Sequence, residues 1–161
     1  MLRHAKSSWQ DESLPDHDRP LNPRGERDAP RIGRLLREED LLPEMALCST
    51  AARARSTLEL ALEAAAWRCE LRFSPALYAA SPEEILAVLA EAPARVARTL
   101  VVGHNPGLEQ LVRELTGEAV TLPTAALAAL DCDCATWSRL GATGTGIRLA
   151  RLWKPKELRA G

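Results

Sequence analysis

The sequence predicts an α/β fold of three layers, with a mostly parallel central sheet and helices on both faces. Three observations predict it. Short apolar runs such as Met45-Ala46-Leu47-Cys48 and Thr99-Leu100-Val101-Val102-Gly103 have the continuous character of strands covered on both sides. Segments with apolar residues at helical spacing alternate with these runs, as crossover helices do between parallel strands. Helix-opening signals, a capping side chain followed by proline, recur at Asn22-Pro23, Ser81-Pro82 and Asn105-Pro106. The 161 residues suffice for one domain, spanning 1–161, whose core needs no disulfide or metal staple.

Each element follows in order. Only Met1 and Leu2 precede Arg3, so the first strand is expected as a truncated stub or as one that begins upstream, because strands commonly run about 5 to 6 residues. Trp9 to Arg19 is polar and turn-rich and reads as a surface loop beside that strand. From Asn22-Pro23 a helix is expected, with Ala29, Ile32, Leu35 and Leu36 on one face and a kink at Pro30. Met45 to Cys48 forms a buried strand ending in Ser49-Thr50. From Ala51 the pattern is helical, with Leu58, Ala61, Leu62 and Ala65 on one stripe and Arg53 in the first turn. Residues 70–78 alternate weakly and fit an edge strand. Ser81-Pro82-Glu83-Glu84 is a capping box that opens a helix through Ile85, Val88, Leu89 and Ala92. After the strand Thr99 to Gly103, a helix capped by Asn105 carries Leu108, Leu111, Val112 and Leu115 and stops at Gly117. Leu122 to Leu130 is expected as a strand, Thr136 to Leu140 as a helical turn, Gly141 to Gly146 as a flexible turn and Ile147 to Trp153 as the last strand.

Composition narrows the function. Basic and acidic residues number 21 and 22, for a net charge of -1, so no global field draws the chain to nucleic acid or to a membrane surface, and any anion site is local. The cysteines at 48, 69, 132 and 134 form no CxxC pair and no zinc-ligand spacing; they read as reduced thiols, and Cys132-Asp133-Cys134 is not expected to hold a metal. No apolar run reaches about 18 residues and no secretory segment is visible, which points to a soluble, cytoplasmic protein.

Three stretches carry chemistry. Arg3-His4-Ala5-Lys6-Ser7 places cationic donors and an imidazole at the end of the first strand. Ser49 to Thr57 places Arg53 at the head of a helix, and Val102-Gly103-His104-Asn105-Pro106 places a second histidine at a strand end. Ligands of such sheets bind at the carboxyl ends of the strands, and all three stretches map there. His4 is the candidate nucleophile, since a neutral imidazole can attack phosphorus and form a phosphohistidine. Arg3 and Arg53 suit the equatorial phosphoryl oxygens, which guanidinium forks bind bidentately, and His104 can donate to the same oxygens. Arg19 and Lys6 are candidate contacts to the phosphate or to a protein substrate; Asp16 and Asp18 are candidate substrate contacts or proton donors. His17 reads as an ordinary loop residue, Arg55 as solvated helix surface, Ser49 and Thr50 as plain strand-end and cap residues. Thr57 either bonds back to the motif or packs within its helix. The tryptophans at 9, 67, 137 and 153 read as packing residues, Trp9 being the one able to face the pocket.

Together these stretches resemble the histidine phosphatase superfamily, which shares an Arg-His-Gly motif with the phosphoglycerate mutases, and within it the short SixA-type phosphohistidine phosphatases. The motif here is Arg3-His4-Ala5, with alanine where glycine is usual. Asp18-Arg19-Pro20-Leu21-Asn22-Pro23-Arg24-Gly25, Ser49 to Thr57, Val102 to Pro106 and Leu122-Pro123-Thr124-Ala125 also match, so the resemblance covers nearly the whole chain. It implies the phosphoglycerate-mutase-like fold, phosphorylation of His4, phosphate binding by Arg3, Arg53 and His104, and no metal or other cofactor. Larger members carry a catalytic carboxylic acid on an inserted helical segment, for which there is no room between Thr57 and His104. An alkoxide needs a proton to leave, whereas imidazole, with a conjugate-acid pKa of about 6.5, leaves readily near neutrality. The expected partner is therefore a histidine-phosphorylated protein such as a phosphotransfer domain. The alternatives are a broad phosphatase of small phosphate esters and a non-catalytic phosphohistidine-binding domain.

Overall fold

The computed structural model describes residues 1–142 and 146–158. Its sheet has the order β3-β2-β4-β1-β5-β6. The strands are β1 (Leu2–Arg3), β2 (Met45–Ser49), β3 (Glu70–Ser74), β4 (Thr99–Gly103), β5 (Leu127–Asp133) and β6 (Gly146–Trp153), and the helices are α1 (Pro23–Glu38), α2 (Ala52–Ala64), α3 (Pro82–Ala90) and α4 (Gly107–Thr116). Strands β3, β2, β4 and β1 are parallel, and β5 and β6 extend the sheet antiparallel.

The pleat sorts the core into two layers. On β2, Ala46 and Cys48 face one way, together with Leu100 and Val102 of β4, and pack against Ala29, Ile32 and Leu36 of α1 and Leu58 of α2. Met45 and Leu47, with Val101 of β4, face the other way and pack against Ile85 and Leu89 of α3 and Leu108, Leu111 and Val112 of α4. Both faces of the parallel strands are thus covered, which is why those strands lack polar alternation.

Local chemistry sets the ends of the elements. The Asn22 side chain accepts from the N–H of Gly25 at 2.9 Å and opens α1, which continues through Pro30 to Glu38. At its far end Arg37 donates to the carbonyls of Ala65 and Ala66, satisfying the terminus of α2. A Cβ at Gly33 would overlap the carbonyl oxygen of Ala61, so the absence of a side chain sets how closely α1 and α2 approach. The capping box at Ser81 and Glu84 is complete.

Three boundaries differ from expectation. The edge strand expected over 70–78 ends at Ser74, because Pro75 opens a 3-10 turn through Leu77. Helix α4 starts at Gly107 without a side-chain cap, and the peptide between Asn105 and Pro106 is cis. The Asn105 amide instead donates to the carbonyl of Leu122 at 3.0 Å. The strand expected from Leu122 starts only at Leu127. Pro123 has no N–H for a ladder, Ala125 is left-handed at φ 59, and the Leu122 N–H is held by Glu109. The turn expected over 141–146 includes residues 143–145, which lie outside the described residues; Thr136 to Leu140 contains the expected turn, at Trp137–Arg139.

Only two residues long, β1 still sits centrally, with Leu2 opposite Val102 of β4 and Leu127 of β5. Because β1, β2 and β4 are parallel, Arg3-His4, Ser49 and Gly103-His104 emerge at one edge of the sheet. The His4 N–H donates to the carbonyl of Gly103 at 3.0 Å and carries the pairing one residue further. A cavity of about 600 Å³, lined by Met1, Leu36, Leu89, Arg98, Asp131 and Trp137 among others, includes none of the site histidines.

Candidate active site

The site is built on backbone before side chains. The Ala5 N–H donates to Thr57 Oγ1 at 2.9 Å, and that hydroxyl donates to the carbonyl of Arg53 at 2.6 Å. The helix bearing Arg53 is thereby tied to the residue that follows His4. Thr57 makes the bond back to the motif that the sequence left open.

His4 is 8% exposed. Its Nδ1 lies 2.7 Å from the carbonyl of Ala5. A carbonyl can only accept, so Nδ1 carries the proton and Nε2 carries the lone pair. That lone pair receives Arg53 Nε at 3.3 Å. The imidazole pKa is pushed down to about 4, first by burial and then by the charges of Arg53 and Arg3, against the upward pull of the Ala5 carbonyl and Asp16. The ring is neutral at physiological pH, with its nucleophilic nitrogen facing a guanidinium.

His104 stands beside it, ring centroids 4.9 Å apart. Its Nε2 lies 2.8 Å from Ser49 Oγ, and its Nδ1 receives Arg53 Nη2 at 3.5 Å. Burial foremost, then the neighbouring His4 and Arg53, lower its pKa to about 3. Ser49 thus orients the second histidine. The signal was its position at the end of β2, the strand beside the one that delivers His104.

Arg53 is 7% exposed and holds together more than the two histidines. Nη1 donates to the backbone carbonyl of Asp16, and Nη2 to Asp16 Oδ2 at 2.8 Å. The same Oδ2 accepts from the Tyr78 hydroxyl at 2.7 Å, and Oδ1 from Arg19 at 3.2 Å. The Tyr78 hydroxyl foremost, with Arg53 and Arg19, holds the Asp16 carboxyl below its usual range. Asp16 is therefore an ion at neutrality that braces Arg53. Tyr78, which no sequence pattern singled out, sits edge-on to His104 at 5.4 Å and to His17 at 5.1 Å.

Arg3 points its Nη1 at the Leu122 carbonyl, 2.8 Å away, while its Nε is buried without a partner among the described residues. Donor capacity remains, and its charge is felt at both histidines. Helix α2 adds an N-terminus that no side chain caps, a favourable place for an anion.

Other expected contacts stand further out. Arg19, 4% exposed, directs Nε and Nη2 at the carbonyl of Ser8 and stacks on exposed Trp9 at 3.0 Å, so it shapes the loop. The Lys6 carbonyl accepts from the Asn22 N–H at 2.9 Å, while its ammonium forms no ion pair among the described residues. Asp18 pairs with His17 at 2.8 Å, and His17 in turn reaches Thr50; neither His17 nor Thr50 is the bystander that the sequence suggested. Arg55 lies over the ring of Phe73. Among the described residues no group of three or more His, Cys, Asp or Glu side chains is placed to hold a metal ion, and no helix is long and apolar enough to cross a membrane.

Residues 1–79, which include Arg3, His4 and Arg53, match the family model of the histidine phosphatase superfamily (branch 1). A solved structure from Nakamurella multipartitia, provisionally named phosphohistidine phosphatase SixA, superimposes with a TM-score of 0.84 at 30% identity, over 96% of this chain and 93% of that one. The chain belongs to the histidine phosphatase superfamily. A second structure of this superfamily, from Agrobacterium tumefaciens and under the same provisional name, has a TM-score of 0.81 at 30% identity, over 96% and 95% of the two chains. An uncharacterized chloroplast protein of Arabidopsis thaliana is 32% identical over 147 residues, 85% of this chain and 67% of its own. The chain spans 63% to 71% of the length of its curated Arabidopsis and mycobacterial relatives. Superfamily membership and the site geometry support phosphatase chemistry in general.

Proposed function

We propose that the chain is a phosphohistidine phosphatase that takes the phosphoryl group from a histidine of a partner protein, such as a phosphotransfer domain, through a covalent phospho-His4 intermediate. The observation that carries this reading is the fixed tautomer of His4. With its proton held at Nδ1 by the Ala5 carbonyl, Nε2 is a neutral nucleophile before substrate arrives. As Nε2 bonds to phosphorus the ring becomes cationic, and the same Nδ1–H to carbonyl bond strengthens. Arg3 and Arg53 would bind the phosphoryl oxygens and spread their charge, and His104, whose Nε2–H is given to Ser49, would join them through Nδ1 once that nitrogen takes up a proton.

The choice of substrate rests on the leaving group. Asp16, the carboxyl nearest the guanidinium of Arg53, is held ionised and is poorly suited to protonate an alkoxide. Imidazole needs less help. The likeness to two structures named phosphohistidine phosphatase SixA supports the same choice.

The test is phosphate release, without added metal, from a histidine-phosphorylated phosphotransfer domain and separately from a sugar phosphate, by the wild type and by His4→Ala. Release from the phosphohistidine substrate alone, abolished by His4→Ala, is expected. Comparable hydrolysis of both substrates would overturn the substrate assignment, and tight binding without release would make the chain a phosphohistidine-binding domain.

A further inference from the structure

His17 and Asp18 take no part in the chemistry above, yet they are arranged as a catalytic base and its orienter. His17 lies in the 3-10 turn Asp16–Asp18, next to the Asp16 that binds Arg53. Its Nδ1 is 2.8 Å from Asp18 Oδ1, and a carboxylate only accepts, so the proton sits on Nδ1. In the neutral ring the lone pair on Nε2 then faces Thr50 Oγ1, 3.0 Å away, and accepts from it. A hydroxyl, an imidazole and a carboxylate in that sequence form the arrangement that lets a histidine withdraw a proton from an oxygen.

The place is as informative as the pairing. Thr50 follows Ser49, which bonds His104, and precedes the uncapped head of α2 that carries Arg53. The ring meets Tyr78 edge-on at 5.1 Å, and Tyr78 meets His104 edge-on at 5.4 Å. Asp16, next in the chain, binds Arg53 through both its carbonyl and its carboxylate. The His17 side chain is 39% exposed, so water can replace the Thr50 hydroxyl at Nε2 and a proton can pass from the ring to solvent.

We propose that His17, oriented by Asp18, is the general base that activates the water hydrolysing phospho-His4. This rests on the phospho-His4 reading above and adds its second half. The water oxygen attacks phosphorus while Nε2 of His17 takes the water proton. The bond from phosphorus to Nε2 of His4 breaks, and its electron pair returns to that nitrogen. Orthophosphate departs, His4 is again neutral with its proton on Nδ1, and His17 passes the added proton to solvent. Asp18 is a positioning residue that stabilises the transient imidazolium.

The experiment is rapid-quench labelling with radiolabelled phosphoramidate, which carries the same P–N bond, for the wild type, His17→Gln, His17→Ala, Asp18→Asn and His4→Ala, each checked by thermal melting. The hydrolysis step should slow about 100-fold or more in both His17 variants, and less in Asp18→Asn, so that acid-labile phosphoenzyme accumulates. Added imidazole should restore turnover to His17→Ala; a histidine that merely anchors the loop would not be replaced this way. Label that forms on His4 and is lost at the wild-type rate in His17→Gln overturns the assignment of His17 alone. Acid-stable label would point to Thr50 as the acceptor and also overturn it. No label in any variant overturns the phospho-His4 reading and this proposal with it.

Discussion

At the scale of single residues, the site depends on which atom of each side chain is already engaged. His4 spends its one N–H on Ala5, so its lone pair is left for chemistry. Arg53 distributes three nitrogens: Nε to His4, Nη1 to the Asp16 carbonyl, and Nη2 between the Asp16 carboxylate and His104. A lysine carries the same charge but cannot span those partners, because an ammonium is a point donor on a flexible stem. Arg53→Lys should therefore lower kcat/KM by about 100-fold or more, comparable to loss of a preorganised donor. Steady-state kinetics checks this, with the melting temperature as control. Near-wild-type activity would mean that only the charge of Arg53 matters.

At the scale of elements, legibility in the sequence followed the locality of the cause. Capping boxes, N-cap asparagine and β-branched runs act within a few residues, and α1, α3 and β4 lie where those signals place them. The start of β5 was only partly legible: Pro123 stands in the sequence, but the contacts that hold Leu122 out of the sheet are distant, Arg3 and Asn105 drawing its carbonyl and Glu109 its N–H. The same holds in the site. His4, Arg53 and His104 could be read from strand ends and a helix head, whereas Tyr78 and the His17–Asp18 pair enter by contacts across the loop 9–19 that no periodicity announces. The crossing of α1 on α2 is another such distant cause, and it makes a prediction of sign. Alanine is the better helix former by about 1 kcal/mol, so Gly33→Ala would stabilise an isolated α1. In the protein the new Cβ meets the backbone carbonyl of Ala61, which cannot rotate away as a side chain would. The helices must part, and overpacking of this kind costs about 1–3 kcal/mol. Gly33→Ala should thus be net destabilised in urea unfolding; a higher midpoint would show that α1 and α2 separate freely.

At the scale of the whole molecule, the fold buries two uncharged histidines side by side at one edge of the sheet, in a chain whose net charge is -1. Their pKa values, about 4 for His4 and about 3 for His104, lie below the ordinary histidine value of about 6.5, with burial the leading cause of both. More than about a unit above pH 6.5 neither the folded nor the unfolded chain protonates them appreciably, and they contribute almost no pH dependence. As pH falls from about 6.5 toward 4, the unfolded chain takes up protons that the folded site refuses, so the unfolded state binds more protons and stability declines. The depressed Asp16 acts in the same direction, but only below the usual carboxylate range near 4, which separates its window from that of the histidines. Urea unfolding from about pH 7 to about pH 4.5 should therefore show a falling free energy, on the order of a few kcal/mol in total. The double variant His4→Gln, His104→Gln should flatten that slope between about pH 6.5 and 4.5, because glutamine does not titrate. An unchanged slope would mean that the two imidazoles accept protons in the folded state, and a nucleophile that is neutral only by virtue of its burial would lose its basis.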